Sequence, residues 1–117
     1  MDFDAAKTVC RGFAGSTEDI KWGADAVFSV GGKMFAVAKH EAPANGISFK
    51  VDDERFLELT DRPGIIPAPY LARARWVKVV SAGALGDQEA FDLLRRSYEL
   101  VFAKLTRKLQ RELGGEA

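Results

Sequence analysis

The chain has 117 residues, 47% of them hydrophobic and 29% charged, which suits one globular domain over residues 1–117 and excludes intrinsic disorder. Lysine plus arginine equals aspartate plus glutamate at 17 each, so the basic excess that dedicated nucleic-acid binders use to neutralise phosphates is missing. A single cysteine, Cys10, excludes an internal disulfide and favours a reducing compartment, the cytoplasm. No apolar run approaches the ~20 residues of a membrane span, so no membrane partner is expected.

In chain order, residues 2–13 predict a helix, because Phe3, Ala6, Val9, Cys10 and Phe13 follow the three-and-four spacing of a buried stripe. Gly15 and Ser16 end it. Ala26 to Val30 and Lys33 to Ala38 then flank Gly31-Gly32, the signature of a hairpin whose turn needs positive φ. A two-residue loop would pair Val30 with Lys33, Phe28 with Phe35 and Ala26 with Val37 on the core face. Val27, Ser29, Met34, Ala36 and Ala38 would then point the other way. Residues 41–46 form a loop around Pro43. Ile47, Phe49 and Val51 alternate with Ser48 and Lys50 as a half-buried strand.

Asp52 stands at the N-cap of a short helix over 53–60, with Val51 and Phe56 at the positions of a hydrophobic staple. Pro63, Pro67 and Pro69 make 61–74 an irregular connection. A last strand runs from Arg75 to Val80, with Val77 and Val79 on one side and Trp76 and Lys78 on the other. Asp87 then caps one long helix carrying Phe91, Leu94, Tyr98, Val101, Phe102, Leu105 and Leu109, stopped by Gly114-Gly115. The expected fold is α+β, an antiparallel sheet with its helices on one face and the other face open.

Few residues point to chemistry. His40 and Cys10 lie far apart and read as structural or surface groups rather than a dyad. Asp52, Asp53 and Glu54 are explained by a helix start, and Gly31-Gly32-Lys33 precedes a strand where a phosphate-binding loop needs a helix. No catalytic, metal or cofactor motif is present in the sequence, so an enzyme is not the expected reading. Lys104, Arg107, Lys108 and Arg111 form one face of the last helix and suit its negative end. The open face is more suggestive. Ser48, Lys50, Trp76 and Lys78 project from it over a floor of Ala36 and Ala38, with Tyr70, Arg73 and Arg75 nearby. An aromatic ring among cations suits base stacking with the backbone held by lysines. The same face would equally suit a homodimer contact anchored by Trp76.

Several stretches together resemble the MmcQ/YjbR family of small bacterial proteins: Trp22-Gly23, Gly31 to Ala36, Ile47 to Val51, Ile65 to Leu71, Trp76-Val77 and Ser97 to Val101. Phe13-Ala14-Gly15 departs from the Leu-Pro-Gly of relatives. The resemblance implies a CyaY (frataxin-like) α/β sandwich and DNA binding through a "double wing", with Lys33, Lys50 and the segment from Tyr70 to Trp76 at the matching positions. Lys33 falls at the end of the core face, where it would have to snorkel. A frataxin-like iron role does not carry over, since the first helix lacks dense acidity. The sequence thus favours a small non-enzymatic protein that contacts DNA weakly through Lys33, Lys50, Tyr70, Arg73, Arg75, Trp76 and Lys78. A protein-interaction or homodimer face, or a small-molecule site beside the Pro63–Tyr70 loop, is the alternative.

Overall fold

The structure, a computed structural model, describes residues 1–40 and 46–114; most of the expected loop around Pro43, and Gly115, lie outside the described residues. Helix α1 spans Phe3–Arg11, and strands β1 (Ser16–Lys21), β2 (Asp25–Val30), β3 (Lys33–Lys39) and β4 (Ile47–Lys50) follow. Helix α2 (Asp53–Thr60) leads to β5 (Ile65–Pro67) and β6 (Trp76–Val79), and the chain ends with α3 (Asp87–Phe102) and α4 (Arg107–Gly114). The strands form one antiparallel six-stranded sheet in the order β1-β2-β3-β4-β6-β5. Helices α1, α2 and α3 cover one face, burying Phe3, Ala6, Cys10, Leu59, Leu93 and Leu94 against Phe28, Phe49, Val77 and Val79. The α+β class and the one-sided helices are as expected. No helix among the described residues is long and apolar enough to cross a membrane.

The Gly31-Gly32 turn is present, with both glycines at positive φ (59° and 79°), and Val30 pairs with Lys33 as expected. Beyond that point the register departs from the expectation. A β-bulge leaves Phe35 as an extra residue, so that Phe28 pairs with Ala36, Val27 with Val37 and Ala26 with Ala38. The physical reason is burial. The bulge brings both Phe35 and Ala36 to the helix-covered face, where each is fully buried, and it turns Val37 outward in place of Ala36 and Ala38.

A bulge interrupts the ladder to the next strand, and one side chain repairs it. The buried Ser97 hydroxyl of α3 donates to Phe35 O (2.7 Å) and accepts from Lys50 N (3.0 Å), bridging β3 and β4 where their direct pairing stops. Around this point Phe13, Phe35, Tyr98 and Phe102 form an aromatic cluster. Phe35 and Tyr98 meet edge-on at 5.5 Å, and Tyr98 Oη donates to Ala14 O.

Other expectations are corrected by hydrogen bonding. The single long terminal helix is two helices. Thr106 Oγ1 accepts from Leu109 N to start α4, and Gln110 Nε2 donates to Phe102 O and Leu105 O, satisfying carbonyls that a continuous helix would have used. The break lets α4 fold back so that Leu105 and Leu109 reach Gly31 and Leu113 reaches Gly15. Lys104 therefore falls in the break and shares no helix face with Arg107, Lys108 and Arg111. The N-cap of α3 is Gly86, not Asp87. Asp52 holds the N-cap position of α2 without making the capping bond, because its carboxylate takes the Arg96 guanidinium in a two-point contact (2.9 Å each). Strands β1 and β5 went unread. Ser16–Lys21 is polar but for the exposed Ile20 and lies on a sheet edge, and the three residues of β5 end in a proline.

Ser97→Ala strands a buried carbonyl and a buried N–H together and should cost about 1–3 kcal/mol in urea unfolding; an unchanged midpoint would show that water replaces the hydroxyl. A second prediction concerns the network joining α2 to α3, where Arg62 holds Glu89 in a two-point contact (2.9 and 3.0 Å) and also bonds Glu58. The Arg62 hydrogen bonds hold the Glu89 carboxyl below the usual carboxylate range, against a smaller opposing effect of burial. A carboxylate lowered on folding stabilises fully above its unfolded pKa and loses that contribution as pH falls through the folded one. The stability gap between the wild type and Glu89→Gln should accordingly be full above about pH 5 and close on acidification.

Candidate functional site

The face turned away from the helices carries a continuous row across five strands and a sixth: Asp19, Val27, Val37, Ser48, Lys78 and Ile66, each register partner to the next. Its middle is the floor of a groove of about 580 Å³, lined there by the half-buried Met34, Val37, Ser48 and Lys78. Gly46 lies at the floor beside the stem of Lys78, and a methyl at that position would meet Lys78 Cε at 3.5 Å and Val79 O at 3.2 Å. The walls come from opposite edges of the sheet. On one side stands the turn joining β1 to β2, with Trp22; on the other stands the segment after β5, with Pro69, Tyr70 and Leu71. The floor from β2 to β6 spans three strand spacings, about 14 Å.

Both wall aromatics are exposed, Trp22 at 68% and Tyr70 completely. Both also have left-handed backbone, φ 54° and 67°, and among the described residues Arg75 is the one other non-glycine residue with positive φ. That conformation costs a bulky L-residue roughly 1–2 kcal/mol. An exposed ring recovers little of it by burial in the free protein.

The sequence-derived residues divide on this framework. Lys50 and Trp76 are register partners on the open face, as expected, and Ser48 pairs with Lys78 beside them. Trp76, however, is only 4% exposed and cannot stack on a ligand or anchor a dimer as it stands. Its N–H donates to Leu71 O and its carbonyl accepts from Ala68 N, so the segment over 68–75 is tied to its strand on both sides. Lys50 is committed as well, since its Nζ donates to Ala74 O. Burial pushes its ammonium pKa down, with the nearby Lys104 and Arg75 charges adding to the effect. Arg75 turns toward α2, with Nε 3.2 Å from Asp53 Oδ1 and the guanidinium over the Phe56 ring at 5.4 Å. Lys33 is exposed but pairs with the core residue Val30, so it stands on the helix side of the sheet, away from this face. Arg73 is exposed in a short 3-10 turn, Ala72–Ala74, with no ion pair among the described residues. The bulge alters the expected floor: Ala36 is withdrawn into the core and Val37 takes the open face beside Met34, while Ala38, though buried, still borders the groove.

Tyr70, Lys78 and Ser48 therefore line the groove, exposed Arg73 lies outside its lining, and Lys39 and Trp22 join the candidates. Trp22 could have been found from sequence. It sits between Lys21 and Gly23, in no apolar periodicity, so nothing assigns the ring to a core. The remaining reactive groups are quiet. Cys10 is buried and its thiol is pushed up to about 12, chiefly by burial, so it is not a nucleophile at neutral pH. Among the described residues no three His, Cys, Asp or Glu side chains gather to hold a metal ion.

This architecture has known counterparts, and the YjbR family model matches residues 11–100. The chain belongs to the YjbR family. The match spans the whole sheet, including both walls of the groove. The YjbR chain is similar to a Deinococcus radiodurans protein with the family-model domain DUF419, at 32% identity and TM-score 0.80, over 96% of this chain and 87% of that one. A Pseudomonas syringae crystal structure, 23% identical with TM-score 0.70 over 86% and 99% of the two chains, shares the fold. A solution structure from the same organism is 25% identical with TM-score 0.60, over 84% of this chain and 87% of that one. No curated protein matches the chain.

The two tryptophans should behave oppositely on mutation. Trp76→Ala removes a buried ring and should cost about 3–5 kcal/mol. Trp22→Gly exchanges an exposed ring for a residue suited to positive φ and should stay within about 1 kcal/mol of the wild type in the same denaturant series.

Proposed function

We propose that this YjbR protein is a binding protein whose site is the open-face groove, taking a small, elongated, partly aromatic ligand that lies across the floor with its ends against Trp22 and Tyr70. One observation carries this reading: two of the described residues held in left-handed backbone are exposed aromatics, they come from turns far apart in sequence, and both wall the same groove. Backbone strain of this kind concentrates at ligand sites, where it preorganises a contact. The groove's volume and largely apolar lining fall within the ordinary range for small-molecule sites.

A second reading is weak binding of single-stranded DNA along the same face, favoured by half-buried Lys78 and exposed Lys39, which line the groove with Tyr70 and Trp22, and by exposed Arg73 three residues beyond Tyr70, all without an ion pair among the described residues. Stacking on Tyr70 and Trp22 would take the part first assigned to Trp76. The readings separate cleanly. Affinity for DNA should climb with oligonucleotide length and fall steeply with salt, whereas a groove ligand binds at one stoichiometric site with little dependence on either.

Intrinsic fluorescence tests the primary reading directly, because Trp22 is exposed and Trp76 is buried. A ligand in the groove should quench the red-shifted Trp22 emission and protect it from iodide, and Trp22→Phe should abolish the change while Tyr70→Gly weakens binding. A ligand response that persists in Trp22→Phe and Tyr70→Gly would remove the groove from the account. A second copy of the chain covering the groove would instead show as a concentration-dependent mass in light scattering.

A further inference from the structure

We infer that the groove selects ligands carrying an anionic group, which Lys78 and Ser48 receive at the centre of its floor; this rests on the groove being a ligand site. Ser48 of β4 and Lys78 of β6 are register partners, so the hydroxyl and the ammonium stem rise side by side from adjacent strands. Both are half-buried, and neither side chain has a hydrogen-bond or ion-pair partner among the described residues. Other partly or fully buried lysines are satisfied. Lys7 donates to Lys39 O and His40 O at 2.7 and 2.9 Å, and Lys50 donates to Ala74 O. Among the described residues Lys78 is the one half-buried lysine whose ammonium has no protein acceptor, and beside it on the floor stand Ser48, Met34 and Val37.

Among the described residues, the one acid lining the groove does not cancel this charge. Asp25 is register partner to Lys21 on one side and to Lys39 on the other, so it sits between two cations at the rim while Lys78 stands alone inside. The selection then follows from desolvation. A neutral ligand that covers the floor takes water from the ammonium and returns nothing, which is the costly case of a stranded charge. An anionic group over the same point supplies a charge-assisted hydrogen bond, with the serine hydroxyl as a second donor. The groove therefore rejects neutral ligands of the right shape and accepts their carboxylated, sulfonated or phosphorylated counterparts.

Two fluorescent probes of nearly the same ring system make the test, 1-anilinonaphthalene-8-sulfonate and the neutral N-phenyl-1-naphthylamine, each titrated into the whole folded protein. The sulfonate should bind roughly tenfold or more tightly than the neutral amine. Lys78→Met should erase that difference by weakening the sulfonate and strengthening the amine, and Ser48→Ala should narrow it. Equal affinities in the wild type, or a difference that persists in Lys78→Met, would overturn anion selection. If both probes still weaken in Trp22→Gly, the groove remains the ligand site and only its charge preference is refuted. If neither probe responds to Trp22→Gly or Tyr70→Gly, both readings fall together.

Discussion

The hydroxyl of Ser97 sits where three elements meet, and the face opposite depends on it. A bulge in β3 places two consecutive side chains, Phe35 and Ala36, in the core. Such a bulge leaves a carbonyl and a neighbouring N–H without ladder partners, and in a buried sheet neither can be left alone. One serine from α3 satisfies both. With that bridge in place the bulged register keeps its polar groups satisfied, and Val37 faces outward. The composition of the groove floor is thus set from the other side of the sheet, by a helix that never reaches it.

Charge is arranged with a similar division. Arg11, Arg55, Arg62, Arg75, Arg95 and Arg96 are all engaged in ion pairs, whereas among the lysines only Lys7 is so engaged among the described residues. Guanidinium groups suit two-point contacts with carboxylates, and here they tie α1 to β1 and α2 to α3. The formal neutrality of the chain therefore conceals a structural set of cations and a second set that faces solvent or the groove. Counting charges in the sequence cannot separate the two, because pairing is a property of the folded contacts.

Much of the fold was legible. The stripe of α1, the glycine turn, the alternation in β4, the start of α2 and the Val77-Val79 strand all follow from periodicity and turn chemistry, and the family could be named from its ordered segments. What escaped reading has physical causes. The bulge buries two consecutive side chains and is bridged by a hydrogen bond to a residue some sixty positions away, and no local pattern announces either. The break before α4 depends on Gln110 reaching back to carbonyls, which a helical period of leucines masks. At the site, facing direction was correct for Lys50, Trp76 and Lys78, but alternation says only which way a side chain leaves the strand. It does not say that the chain over 68–75 returns to hold Trp76 down, or that Arg75 will find Asp53.

The groove is assembled from parts of unequal rigidity. Its floor belongs to central strands locked by the core, while its two walls are short turns at opposite margins, neither of which contributes a ring to that core. The chain over 68–75 is bonded to β6 through backbone groups, which its exposed side chains do not share. The shape of the groove can therefore change through a handful of substitutions at two separate places, while the sheet and its helices persist unchanged.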